Sequence, residues 1–167
     1  MMTDHLRTIV GHHLWATGRL IDHCAELPPA QRELTTPGTY GSVHATLAHL
    51  VAADRRYLFG ITGAERTPLA PPGTLPDLGL LRATAVQLRA GWTDVLDRID
   101  EVDCTMPAIE GEDPYPRIEH AVGLFLVQAV HHGEAHRTEI RSILGAHGLD
   151  APELTGWEYV LVLRGES

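Results

Sequence analysis

The sequence predicts an all-α protein built as a four-helix bundle. Four long segments carry apolar residues at the three- and four-residue spacing of an amphipathic helix. No segment shows a sustained alternation of apolar and polar residues between paired hairpin turns, which is the pattern typical of strands. A bundle builds its ligand sites from inward side chains on facing helices. Polar residues that interrupt the four apolar faces are therefore the candidates for a site.

The first predicted helix opens the chain. Thr3 or Asp4 is its expected N-cap, because a short polar side chain accepts hydrogen bonds from the free amide groups of a first turn. Pro28-Pro29 is expected to end the helix, since proline disfavours the helical conformation in the residue before it. The apolar face between these ends includes His13.

The second predicted helix has recognisable signals at both ends. Ser42 is its expected N-cap, and the helix runs to about Ile61, just before Gly63. The stretch 67–76 then holds four prolines and a glycine, so it is expected to be a surface connection.

The third and fourth predicted helices cover residues 78–102 and 117–146. The acidic, proline-rich segment 103–116 between them is expected to be a long loop near the mouth of any site, with or without a short strand. The tail 157–163 fits a closing helix or a strand. The whole chain, residues 1–167, is expected to form one domain.

Helical spacing in the fourth segment predicts one stripe of Val122, Phe125, Ala129, His132, His136, Ile140 and Ile143.

Charge and composition argue against two kinds of partner. The chain has 13 Lys and Arg against 22 Asp and Glu, a net charge of −9 with neutral histidines, and no basic run. Affinity for nucleic acids and anionic membranes comes largely from clustered cations, so neither is expected as a partner. No apolar stretch approaches the ~18 residues of a membrane span, and no secretory signal opens the sequence. A cytoplasmic protein is expected.

The two cysteines, Cys24 and Cys104, are far apart in the sequence. They provide neither a disulfide scaffold nor a thiolate metal cluster. Both are expected to be reduced thiols with a mainly structural role.

His132 and His136 are one helical turn apart. Because the chain holds 11 histidines, roughly 0.7 such pairs are expected by chance, and the count alone proves nothing. Their position on the apolar stripe is more informative. Two neutral imidazoles one turn apart can bind a single ion. Core histidines bonded to other side chains would explain the same spacing, and the spacing leaves both interpretations open.

A third ligand must come from another helix, and His49 is the best candidate. Four alanines around it leave room for a neighbouring helix and an ion: Ala45, Ala48, Ala52 and Ala53. His13 is the main competitor, since it also lies on an inner face. His131 could replace His132, but it is five residues from His136 and would converge with it less well.

Two familiar metal motifs are absent from the sequence. Glu134 lies one position too late for His-Glu-x-x-His, and no Glu-x-x-His occurs. A site with one metal and three histidines remains. Gln128 and Glu139, a turn before and a turn after the pair, could accept hydrogen bonds from ligands or form polar walls; solvated helix residues are the alternative.

The chain resembles the DinB/YfiT-like superfamily in three places. Residues 12–20, HHLWATGRL, resemble the opening helix of that family, and residues 47–58, LAHLVAADRRYL, resemble its second helix, whose histidine is the first metal ligand. Residues 132–140, HGEAHRTEI, resemble the His-x-x-x-His-Arg-Gly-Gln-Ile element that supplies the other two ligands. Thr138-Glu139 and His12-His13 depart from the usual Gly-Gln and Tyr-Asn, which bears on the polarity of the cavity wall.

The resemblance implies that His49, His132 and His136 bind one divalent metal, commonly nickel or zinc, in a chain that is often a homodimer. Some members of the family are S-transferases or isomerases that use bacillithiol, mycothiol or glutathione. The expected function is a metal-dependent transferase that acts on a small-molecule substrate with a low-molecular-weight thiol.

A metal-dependent hydrolase and a non-enzymatic metal-binding bundle are the alternatives. Only three ligands are visible, which favours an open metal position beside a cavity over a closed structural site. That cavity is expected between the first, second and fourth helices. The acidic segment 103–116 argues modestly against a thiol that carries carboxylates.

Overall fold

The computed structural model describes residues 2–65, 67–108, 110 and 115–165, and within these ranges the fold is all-helical. The four long helices are those of the predicted bundle, which confirms the fold class. The tail forms a short sixth helix. The helices are α1 (Met2–Glu26), α2 (Pro29–Arg32), α3 (Val43–Thr62), α4 (Leu78–Asp97), α5 (Val122–Ala146) and α6 (Gly156–Arg164).

The long helices form a closed ring in the order α1, α4, α3, α5. α1 is antiparallel to α4, and α3 is antiparallel to α5, whereas α3 and α4 are parallel. A parallel pair needs a connection that returns along the bundle, so the segment between α3 and α4 must run back beside α3. The contacts that fix these directions are Arg7 with Asp97, Asp22 with Arg82, His49 with His132, Gly60 with Phe125, His44 with Pro76, and Asp54 with Trp92.

The predicted ends of α3 are confirmed. The Ser42 hydroxyl accepts a hydrogen bond from the backbone N–H of Ala45 at 3.2 Å. Gly63 closes the helix with a φ of +70°, in the left-handed region that glycine adopts at low cost. At the start of α4, the carboxylate of Asp77 caps the N–H of Leu80 at 2.7 Å.

The prediction that the fourth helix begins at residue 117 is wrong. α5 begins at Val122, because the chain before it is held in non-helical geometry. Ile118 forms an isolated antiparallel β-bridge with Met106, and His120 has a φ of +55°. A residue in the left-handed region cannot continue a right-handed helix. In segment 103–116, expected to be a long loop with or without a short strand, the described residues show only Met106 of this isolated bridge, and residues 109 and 111–114 lie outside the described part of the chain.

Two other boundaries also differ from the prediction, and one short helix was not predicted. α4 ends at Asp97 instead of residue 102, and hydrogen-bonded turns continue the chain, with the N–H of Val102 bonded to the Arg98 carbonyl at 2.9 Å. α1 begins at Met2, so Asp4 lies in the first turn. Pro28-Pro29 ends α1 but also starts the unpredicted α2, because proline at a first helical position loses no hydrogen bond.

The core lies between the four long helices and is mainly aliphatic around one tryptophan. The largest fully buried apolar side chains are Trp92, Leu20, Ile21, Leu47, Leu50, Leu81, Ile140, Ile143, Leu144 and Val43.

None of the described helices is both long and apolar enough to cross a membrane.

Candidate metal centre

Three histidine side chains meet between α3 and α5. His49 comes from α3, and His132 and His136 come from α5; one ring nitrogen from each lies within 4.8 Å of the others. The Nε2 atoms of His49 and His132 are 3.0 Å apart. Nitrogens bonded to one zinc ion at 2.0–2.1 Å in a tetrahedron lie about 3.3 Å apart. These three side chains, called the histidine triad below, therefore could hold one ion with small adjustments.

Glu139 fixes the orientation of one triad ring. The Nδ1 atom of His136 lies 2.8 Å from the Glu139 carboxylate, so this nitrogen donates a proton, and in the neutral ring the lone pair is on Nε2. A carboxylate bonded to the far nitrogen of a histidine is a common feature of metal sites. The same carboxylate accepts a hydrogen bond from the backbone N–H of Tyr40 at 3.3 Å.

Two tyrosines complete the walls of the triad. The ring of Tyr40 stacks on His49 with 4.0 Å between centroids and meets His136 edge-on at 5.4 Å. Tyr57 meets His132 edge-on at 5.8 Å. The sequence did not predict the position of Tyr40, because it lies in the connection before α3 where no helical period places a side chain.

The triad is half-buried, and the surroundings of His49 and His132 favour their neutral forms. Burial, followed by the neighbouring His136 and His49, lowers the pKa of His132 to about 4. Burial, with His136 as the next cause, also lowers the pKa of His49. A neutral imidazole has a free lone pair, so these two rings could bind a metal at neutral pH without first losing a proton.

Most other histidines have structural partners. Four of them bond to the backbone carbonyl of a residue distant in the sequence at 2.7–3.0 Å: His12 to Leu154, His23 to Asp150, His44 to Pro76, and His147 to Thr35. His120 pairs with Asp103 at 2.9 Å. Many of the histidines therefore attach distant segments of the backbone to the helices. The triad differs from them because its three rings face one another.

His13 does not reach the triad. It is 1% exposed, and both ring nitrogens are occupied: Arg137 donates to Nδ1 at 3.0 Å, and Nε2 lies 3.1 Å from Asp54. Because Nδ1 accepts, Nε2 must carry the proton and donate it to the carboxylate. The other Asp54 oxygen accepts from the Trp92 indole at 3.2 Å. This buried polar network joins all four long helices and accounts for His13 as a core histidine.

Arg137 and Gly133 explain how α5 packs at this level. The Arg137 guanidinium also bonds to Thr17 at 3.0 Å and to Glu134 at 2.9 Å. A Cβ atom on Gly133 would lie 2.3 Å from Cε1 of His13, so only glycine leaves room for that ring. The centre of the inward face therefore passes through Gly133 and Arg137, with His132 and His136 at its edge. The predicted stripe is displaced by one position here.

Two further predicted candidates lie away from the triad. His131 is exposed and is not part of the group of converging ligand atoms. Gln128 is also exposed, and its amide lies 3.5 Å from the Tyr57 hydroxyl. Of the four additional candidates, only Glu139 directly contacts a triad histidine.

The cavity beside the triad is not where the sequence predicted it. It has a volume of about 330 Å³ and is lined by α3 and the segment 67–76, with Tyr40 at one side. Neither α1 nor α5 contributes a lining residue, so His49 is the triad histidine that borders this cavity. The reason is the parallel arrangement of α3 and α4, which brings their connection back along α3.

A sequence model of the DinB superfamily matches residues 12–140. The matched region contains the whole histidine triad and the buried polar network. A search of curated proteins finds no match to the chain.

Proposed function

Because the chain belongs to the DinB superfamily, we propose that it is a metal-dependent transferase whose single divalent ion, nickel or zinc, is held by His49, His132 and His136. The observation that carries this proposal is the convergence of three imidazoles from two facing helices. Their nitrogens are the borderline donors that zinc and nickel accept. With no fourth protein ligand among the described side chains of this group, a position would stay open for a substrate.

The ion, when bound, would lower the pKa of a coordinated thiol, or of a water in the alternative hydrolase. The chain supplies the geometry for that chemistry. Glu139 holds His136 in the tautomer that presents Nε2, and the Tyr40 ring covers His49 and limits access of water from that side. The 330 Å³ cavity opens on His49 and would receive the small-molecule substrate.

The thiol is proposed to come from outside the chain, as a low-molecular-weight cofactor. Cys24 is fully buried, and burial raises its pKa to about 12. Burial and the adjacent Asp103 also raise the pKa of Cys104. Neither cysteine would be a thiolate at neutral pH, and the thiolate is the nucleophilic form.

Thiol conjugation by the metal-loaded protein tests this proposal. Bacillithiol, mycothiol and glutathione are each offered with a set of electrophiles, and consumption of free thiol is followed. We expect turnover with at least one thiol, its loss after metal removal, and its retention in Cys24→Ala and Cys104→Ala. Circular dichroism and metal content show that each variant is folded and loaded. Loss of turnover in a folded, metal-loaded cysteine variant would contradict an external thiol, and silence with all three thiols would favour the hydrolase or a non-enzymatic protein.

We also propose that the protein is a homodimer. Besides the family resemblance, this rests on apolar side chains that α6 leaves exposed, with Trp157 84% and Leu163 59% accessible in the single chain. Light scattering at micromolar concentration is expected to give twice the 18.3 kDa of one chain. A mass near 18.3 kDa would exclude a dimer under those conditions.

A further inference from the structure

A continuous groove runs along α3 from the triad. Its floor consists of Ala45, Ala48 and Ala52, whose small side chains lie on one helical face, and its wall is the segment 67–76. A second cavity of about 230 Å³ continues the groove away from His49. The two cavities share Ala52, Pro68 and Leu69, so one elongated molecule could occupy both.

Arg56 lies at the far end of this groove. It is exposed, and within the described part of the chain it forms no ion pair. It lines the second cavity and also an adjoining one with Met106 and Phe125. Its neighbour Arg55 differs, because that guanidinium bonds to the carbonyl and hydroxyl of Thr67 at 2.5 and 2.7 Å. Arg56 is thus the cation of the groove that is available to a ligand.

Arg56 lies on the same helix as His49, and the two cavities that they line share residues. Seven residues of helix separate it from His49, which is about 10 Å along the axis. A molecule of that length would reach both.

We propose that Arg56 binds the carboxylate of a small organic acid whose apolar body lies on the alanine floor of the groove. An arginine fork matches the two oxygens of a carboxylate, and the apolar walls suit a hydrocarbon chain. The chain carries a net charge of −9, so a local cation is needed if an anion is to be held here. That the other end of the acid reacts at the triad rests on the proposed function; binding at Arg56 does not.

Calorimetric titration of the protein, with and without added zinc, with octanoate and with 1-octanol tests this inference. The two probes share a chain length of about 10 Å and differ in charge. We expect the protein to bind octanoate about tenfold more tightly than octanol, the effect of one charge-assisted hydrogen-bonded contact in a half-open site. Arg56→Gln should abolish this preference, and Arg56→Lys should keep part of it. Arg55→Gln is the matched control and should keep it in full.

An unchanged preference in Arg56→Gln would overturn the inference, because octanoate would then be bound elsewhere, for example by the metal itself. Equal binding of both probes by the unsubstituted protein would overturn it as well. Metal content is measured on every sample. A failure of the proposed function would appear as missing metal or as an inactive thiol assay. The preference for octanoate over octanol depends on neither result.

Discussion

Gly133→Ala is expected to destabilise the protein by about 2–4 kcal/mol, although alanine is the better helix former. The new Cβ would lie 2.3 Å from Cε1 and 2.6 Å from Nδ1 of His13, and 2.9 Å from Nη1 of Arg137. Overpacking of a core costs about 1–3 kcal/mol. The His13 ring cannot move away without losing its bond to Asp54, and a buried polar group left without a partner adds about 1–3 kcal/mol.

Gly145→Ala is the matched control on the same helix. Nothing lies within 4 Å of a Cβ built at Gly145, which is exposed and has an ordinary helical backbone. Replacing glycine by alanine in an open helical position stabilises by up to about 1 kcal/mol. The two substitutions are chemically identical and should change the free energy of unfolding in opposite directions. Urea unfolding followed by circular dichroism measures both, and equal effects would show that His13 is not held as described.

The same substitution should also affect the candidate metal centre. Gly133 lies directly after His132 and three residues before His136, so any shift of α5 away from His13 moves both rings relative to His49. The buried polar network fixes the depth at which α5 packs against α1 and α3. Its contribution to the site is therefore through position, since none of its side chains joins the triad.

Helical periodicity predicted the bundle well because each long helix buries one apolar face. Signals at helix ends predicted α3 closely, with Ser42 and Gly63 in the expected roles. The start of α5 was mispredicted because the bridge between Met106 and Ile118 is a contact between segments distant in sequence. Local spacing carries no information about such a contact.

The site was predictable in part, and the limits have physical causes. The resemblance and the spacing together selected the three histidines that the structure brings together. Asp54 and Arg137 interrupt the apolar faces of α3 and α5, and such an interruption is the signal in the sequence for a buried polar network. Tyr40 and the wall formed by residues 67–76 depend on how the connections return along the bundle. No periodic pattern predicts that path.

The second large effect is expected for the triad itself. His49→Ala, His132→Ala and His136→Ala should each weaken metal affinity by at least about 100-fold, because each would remove one of the three ligands proposed among the described residues. His131→Ala is the matched control, since His131 is exposed and adjacent in sequence to His132. Its metal affinity should match that of the unsubstituted protein. Circular dichroism checks that each variant keeps its fold.

Metal content per chain, measured by mass spectrometry on protein purified without a nickel-binding tag and then equilibrated with zinc or nickel, tests the central claim most directly. We expect one ion per chain in the unsubstituted protein and in His131→Ala, and much less than one in each of the three triad variants. If the unsubstituted protein takes up no ion, or if His132→Ala keeps its metal while His131→Ala loses it, the three-histidine centre assigned to His49, His132 and His136 is wrong.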